Sequence, residues 1–154
     1  DFKIAYKLQD SRIDYREGLR QQVFTPMSRF FANLSYVTSL ASYKGSWRFN
    51  VTAHRTGQQR DADPRDGRDN DADHQNSSFL PIARFWLFNA QITRVFSKKF
   101  DVYVGVENLG NYKQSPVILN PDNPHGQYFD ASMVWGPIFG REFYCGFRYV
   151  LNAE

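Results

Sequence analysis

The stretch Glu142-Phe-Tyr-Cys-Gly-Phe-Arg-Tyr-Val-Leu151 alternates without a slip. Phe143, Cys145, Phe147, Tyr149 and Leu151 fall on one face, and Glu142, Tyr144, Gly146, Arg148 and Val150 on the other. A period of two residues is the signature of a β-strand, because successive side chains point to opposite sides of the backbone. One face of this strand is almost wholly aromatic or aliphatic.

Five more runs upstream repeat the rhythm. Phe2, Ile4, Tyr6 and Leu8 alternate with Lys3, Ala5, Lys7 and Gln9. The phase then shifts to Ile13 and Tyr15, which predicts a bulge near Gln9 to Ser11. Phe30, Ala32, Leu34 and Tyr36 form the next run, followed by Trp47, Phe49, Val51 and Ala53. Trp86, Phe88, Ala90 and Ile92 make the fourth run, and Val102, Val104 and Val106 the fifth. The expected fold is all-β and antiparallel, with about six strands.

The links between runs alternate in length. Short turns are expected near Ser39 to Gly45 and Ser97 to Lys99. Long loops are expected over Arg16 to Ser28, Gly57 to Ala83 and Gly110 to Gly140, all at one end of the sheet. Membrane β-barrels of the bacterial outer membrane have this asymmetry, with short periplasmic turns and long extracellular loops. Six strands fall short of the smallest common barrel, and an open edge in hydrocarbon leaves peptide groups unpaired. The chain is therefore expected to be part of a larger barrel, or one of several chains that complete one.

Composition agrees with this reading and excludes others. There are 14 Phe, 9 Tyr and 3 Trp in 154 residues. The net charge of +3 is too small to argue for a nucleic-acid partner. No apolar run reaches the roughly 18 residues of a transmembrane helix, but a spanning strand needs apolar residues only at alternate positions. The single cysteine, Cys145, excludes an intrachain disulfide framework and reads as a small hydrophobe. An exported protein needs a leader, and none precedes Asp1, so the chain is expected to be mature or cut from something longer.

The residues also resemble a family. Asn89-Ala-Gln-Ile-Thr-Arg-Val-Phe96 followed by Phe100-Asp-Val-Tyr-Val-Gly-Val-Glu-Asn-Leu109 is similar to the late strands of TonB-dependent outer-membrane receptors. Tyr128-Phe-Asp-Ala-Ser-Met-Val-Trp-Gly-Pro-Ile-Phe-Gly-Arg141 and Phe143 to Tyr149 resemble the end of such receptors in Bacteroidetes-type bacteria. The resemblance implies that residues 1–154 are the C-terminal part of a transmembrane barrel of about 22 strands. It implies an energised importer of a scarce ligand such as an iron chelate, haem, cobalamin or a glycan. The implied partners are outer-membrane lipid, the rest of the barrel, a plug domain, the barrel-assembly machinery and an inner-membrane energy-coupling protein. The plug and the energy-coupling box are expected outside these residues. Gly146, Tyr149 and Leu151 match the barrel-assembly signal, although Tyr144 stands where that signal has a polar residue and three residues follow Leu151. The implied location is the outer membrane, with the long loops extracellular.

Candidate sites are few. Asp61, Asp63, Asp66, Asp69, Asp71 and Asp73 crowd one loop, and Ca²⁺ takes roughly six to eight oxygen ligands. Pro64 interrupts the EF-hand spacing, no distal Glu follows, and Arg60, Arg65 and Arg68 partly neutralise the loop. Calcium is thus a candidate against the plainer reading of a solvated loop, and no other cofactor is expected. His54, His74 and His125 lie in separate segments and read first as solvated. Arg48, Asn50, Thr52, Asn89, Gln91, Thr93, Tyr103, Glu107 and Arg148 lie on polar strand faces and would line a barrel lumen. No G-x-S-x-G, P-loop or H-E-x-x-H motif occurs, and no enzyme is expected. The same alternation also fits a soluble ligand-binding barrel with its apolar face turned inward, or an oligomeric surface barrel or adhesin.

Overall fold

The terminal alternating stretch is a strand, and it closes one side of a sheet made by all six runs. The computed structural model describes residues 1–15, 18–39, 45–60, 82–118, 121–126, 129, 131 and 134–151. Among them are eight strands and no helix: β1 (Phe2–Leu8), β2 (Arg12–Tyr15), β3 (Gly18–Gln21), β4 (Ser28–Ser39), β5 (Ser46–Thr56), β6 (Phe85–Val95), β7 (Phe100–Glu107) and β8 (Glu142–Tyr149). Six of them form one antiparallel sheet in the order β1-β4-β5-β6-β7-β8. β2 and β3 form a separate two-stranded sheet. The large sheet is open, and β1 and β8 have no outer neighbour among the described residues.

Aromatic and β-branched residues favour extended backbone, and they dominate β4 to β7. Register then decides which side each strand shows. Leu34 lies opposite Phe2 and Val51, Val51 opposite Ala90, Ala90 opposite Val106, and Val106 opposite Phe143. Every apolar half thus lands on the same face of the sheet. A one-residue slip in any pair would send that strand's apolar set to the other side.

The meander sends its links alternately to two ends. Residues 40–45 and Phe96–Lys99 connect strands at one end. At this end Gly45 adopts φ +84°, and a Cβ there would run into the carbonyl of Val95. Ser97 tightens the second turn, its hydroxyl accepting from the N–H groups of Lys99 and Phe100, each at 3.2 Å. The three longer connections leave from the opposite end.

Two expectations need correction. The phase shift after Leu8 is not a bulge in a continuing strand. The chain leaves the sheet at Gln9, whose N–H donates to Met27 at 3.0 Å, and Ile13 belongs to the β2-β3 hairpin. The loop expected from Arg16 to Ser28 therefore contains β3. The apolar alternation also outruns the last strand, because Val150 and Leu151 follow β8, with Val150 N–H still donating to Lys99 at 2.9 Å.

Candidate functional site

The two faces of the sheet differ in kind. The apolar face is built from Phe2, Ile4 and Tyr6 of β1, Leu34 and Tyr36 of β4, Trp47, Phe49 and Val51 of β5, and their partners on β6 to β8. Its large side chains stand exposed, and no second layer covers them among the described residues. Between β7 and β8 this face carries an open hollow of about 410 Å³, lined by Phe100, Val102, Cys145, Gly146 and Phe147. Among the described residues, its charged strand residues are two arginines, one near each end. Arg55 lies 6.0 Å from the Trp86 ring and Arg94 lies 4.9 Å from the Trp47 ring. Both distances are within cation–π range.

The opposite face is polar and knit together. Asn33 donates to Thr52 at 3.0 Å, and the Ser35 hydroxyl donates to Asn50 at 2.5 Å. Arg148 on β8 pairs with Asp101 on β7, whose carboxylate is buried while the guanidinium stays accessible. Tyr144 on β8 reaches over β7 and donates to Gln91 on β6 at 3.0 Å. Gly105 makes that reach possible. It lies opposite both Gln91 and Tyr144, and a Cβ there would meet the Tyr144 ring. Gly146 is the reciprocal case, covered by Tyr103 from the neighbouring strand. A tyrosine laid over a facing glycine fills the gap that glycine leaves in a sheet.

Register brings Arg48, Asn50, Asn89, Gln91, Tyr103, Glu107 and Arg148 to this one polar face. Glu107 and Glu142 lie directly opposite each other at its long-loop end. Above them the segment Gly136–Gly140 folds over the strand ends and bounds a groove of about 350 Å³, which Leu87, Asn89 and Asn108 also line. Most of the groove's lining is apolar, with Glu107 and Glu142 as its carboxylates. Adjacent like charges cost stability unless something cationic or water lies between them.

The residues that shape this end were invisible in the alternation. Asn108 is buried at φ +50° and grips Tyr112 from both sides: its side chain donates to the carbonyl of Tyr112 at 2.7 Å and accepts from its N–H at 2.9 Å. Gln114 is buried too, and its side-chain amide oxygen accepts from the N–H groups of Trp135 and Gly136 at 2.9 and 3.0 Å. Phe85 stacks on Tyr112 at 4.7 Å and leans on Trp135 at 5.8 Å. Burial in this stack pushes the Tyr112 hydroxyl above its ordinary pKa. The one sequence hint was Asn108-Leu-Gly-Asn111, since Asn tolerates positive φ in turns and Asn111 also adopts it. On the β2-β3 hairpin, Arg12 and Asp10 form an exposed ion pair at 2.9 Å, and hydrogen bonding to Asp10 raises the Arg12 pKa.

The acidic stretch Asp61 to Asp73 and His74 lie outside the described residues. His54 packs its ring 5.0 Å from Phe31, and His125 lies in an exposed loop. Among the described residues, no three His, Cys, Asp or Glu side chains converge as a metal site. Gly146 and Tyr149 of the matched terminal signal lie in β8, and Leu151 lies just past it. No helix among the described residues is long and apolar enough to cross a membrane, which has no bearing on crossing by strands. No family model, no curated protein and no solved structure matches the chain.

Proposed function

We propose that this sheet is part of the wall of a bacterial outer-membrane β-barrel, with its apolar face in lipid and its polar face toward the lumen. The whole protein is then an importer of the TonB-dependent receptor type, taking a scarce ligand such as an iron chelate, haem or cobalamin across the outer membrane. The observation that carries the reading is the inverted burial of the two faces: bulky apolar side chains are open, while Thr93 and Asp101 are buried. In water an antiparallel sheet keeps its apolar side covered. In a bilayer the alternation runs the other way, apolar out and polar in.

Strand length supports it as well. β5 and β6 have 11 residues each. At about 3.4 Å per residue and a tilt near 45°, such a strand rises about 26 Å, the height of the apolar band of a membrane barrel. The open edges β1 and β8 then pair with further strands. They also favour a second reading, in which several copies of the chain each contribute strands to one barrel. Cross-linking the purified protein separates the two, because copies that share a barrel give a fixed multiple of the chain.

Topology tests the placement. A cysteine at Lys113, in a long loop, labels with an impermeant maleimide on intact cells, and one at Lys98, in a short turn, labels only after the outer membrane is opened. Labelling of both sites on intact cells, or of Lys98 alone, overturns the orientation. Import is tested by uptake of the ligand classes named above with the inner-membrane proton gradient intact or collapsed. Uptake that survives collapse removes the importer reading and leaves a passive barrel.

A further inference from the structure

We infer that the groove under the Gly136–Gly140 segment binds one small organic cation, a planar amidinium or guanidinium carried on an apolar body. The site lies on the polar face, at the long-loop end. It goes beyond the importer reading, since this face meets water whether or not the opposite face meets lipid.

Two carboxylates select the charge. Glu107 and Glu142 stand directly opposite each other in the β7–β8 ladder. Their Cβ atoms are therefore about 5 Å apart, and two like charges so placed repel until a cation joins them. Both side chains are exposed, and among the described residues neither has a hydrogen-bond or ion-pair partner. The neighbouring cations leave them open. Arg141 turns to the carbonyl of Leu109, with Nε and Nη2 donating at 3.0 and 2.6 Å. Lys113 lies against Gly140 and is exposed, and among the described residues it pairs with neither glutamate.

The wall selects the body. Leu87, Pro137, Ile138 and Phe139 give the groove its apolar surface, and the Phe139 side chain stands exposed at its rim. The amide oxygens at the groove are already engaged: Asn108 grips Tyr112, and Asn89 Oδ1 accepts from the Asn108 N–H at 3.0 Å. This set does not suit calcium, which takes roughly six to eight oxygens. Among the described residues no third acid, histidine or cysteine joins the pair. A planar cation with forked N–H donors instead bonds carboxylates edge-on and lays its face on a ring.

The groove is also preformed. The segment above it is pinned along its length: the Gln114 N–H donates to the carbonyl of Pro137 at 2.7 Å, the Gln114 side chain holds Trp135 and Gly136, and Asn111 Oδ1 accepts from the Arg141 N–H at 3.0 Å. Its volume of about 350 Å³ falls within the range of small-molecule sites.

The test is fluorescence titration of the full-length protein in nonionic detergent with p-aminobenzamidine, and with p-aminobenzamide as the uncharged isostere. Saturable binding of one amidine per chain is expected, with the amide at least about tenfold weaker. Glu107→Gln and Glu142→Gln should each weaken the amidine about tenfold, the effect of losing one hydrogen bond to a charged group. Phe139→Ala should weaken it about threefold, and Asp10→Asn, on the β2-β3 hairpin, should leave it unchanged. The two glutamates are exposed and their replacements isosteric, and circular dichroism checks that each variant keeps its sheet. Equal binding of amidine and amide, or unchanged affinity in both glutamate variants, overturns the site. An equal loss in Asp10→Asn overturns it too, because general charge attraction then explains the binding. Displacement of the amidine by micromolar calcium at fixed ionic strength would make the pair a metal site and overturn the organic cation. Unchanged affinity in Phe139→Ala overturns the apolar body. Amidine binding that persists in a protein unable to enter membranes would end the outer-membrane reading and leave this site standing.

Discussion

Phe143 and Phe147 keep 76% and 71% of their surface open on one face of the sheet, whereas Thr93 and Asp101 on the other keep 6% and 7%. Both faces are written by the same strands, in alternate residues. The apolar face gains little from its own neighbours beyond ring contacts such as Tyr36 with Phe49 at 6.4 Å. The polar face is held by hydrogen bonds that run across three strands, from Tyr144 to Gln91 to Thr93. The difference teaches that stability intrinsic to this sheet lies in its polar side. The apolar side needs a medium or partner to be stable at all, since exposed patches of this extent are sites of contact.

The comparison breaks first, and with the largest effect, at Val51. It stands mid-face between Leu34 and Ala90. An arginine near the bilayer midplane costs about 2–4 kcal/mol in a barrel, so Val51→Arg should sharply lower the heat-modifiable folded fraction in outer membranes. A face in water would tolerate the same change within about 0.5 kcal/mol. Tolerance of Val51→Arg would refute the lipid-facing assignment.

A smaller effect sharpens the polar side. Reading by alternation alone treats Arg148 as a mild lumen position, but its partner Asp101 is buried and the arginine is not. Arg148→Ala leaves a buried carboxylate without its partner and should cost about 1–3 kcal/mol. Asp101→Asn leaves an acceptor in place and a solvated arginine, so it should cost clearly less. Denaturant midpoints of the full-length protein in detergent give the order, and equal losses would mean that the pair is not asymmetric in solvent.

The smallest of the three concerns the glycine rows. Gly105→Ala displaces the Tyr144 ring and should cost about 1 kcal/mol through the lost hydroxyl bond to Gln91. Tyr144→Phe removes the same bond directly. The double variant should therefore lose less than the sum of the two, because the residues share one interaction. Full additivity in the same unfolding assay would show that Tyr144 does not lie over Gly105.

Much of this was legible in the residues themselves. Side-chain period is a local property, so the six runs and their apolar halves could be read off directly, to within two or three residues at the strand ends. β2 and β3 were not, because the pairing of Ile13 with Arg20 leaves no alternation long enough to separate a hairpin from a bulge. The loop-end anchors escaped for a related reason. Asn108 and Gln114 act by hydrogen bonds to Tyr112, Trp135 and Gly136, which only the folded loop brings near them.

What the sequence determined alone was therefore the alternation itself: which residues are paired with which side of their own strand. Tertiary structure decided that all six sides coincide, that Tyr144 and Tyr103 lie over facing glycines, and that Arg94 stands beside an apolar hollow. Those facts depend on register between strands distant in the chain, and register is set by the sum of cross-strand contacts rather than by any one segment.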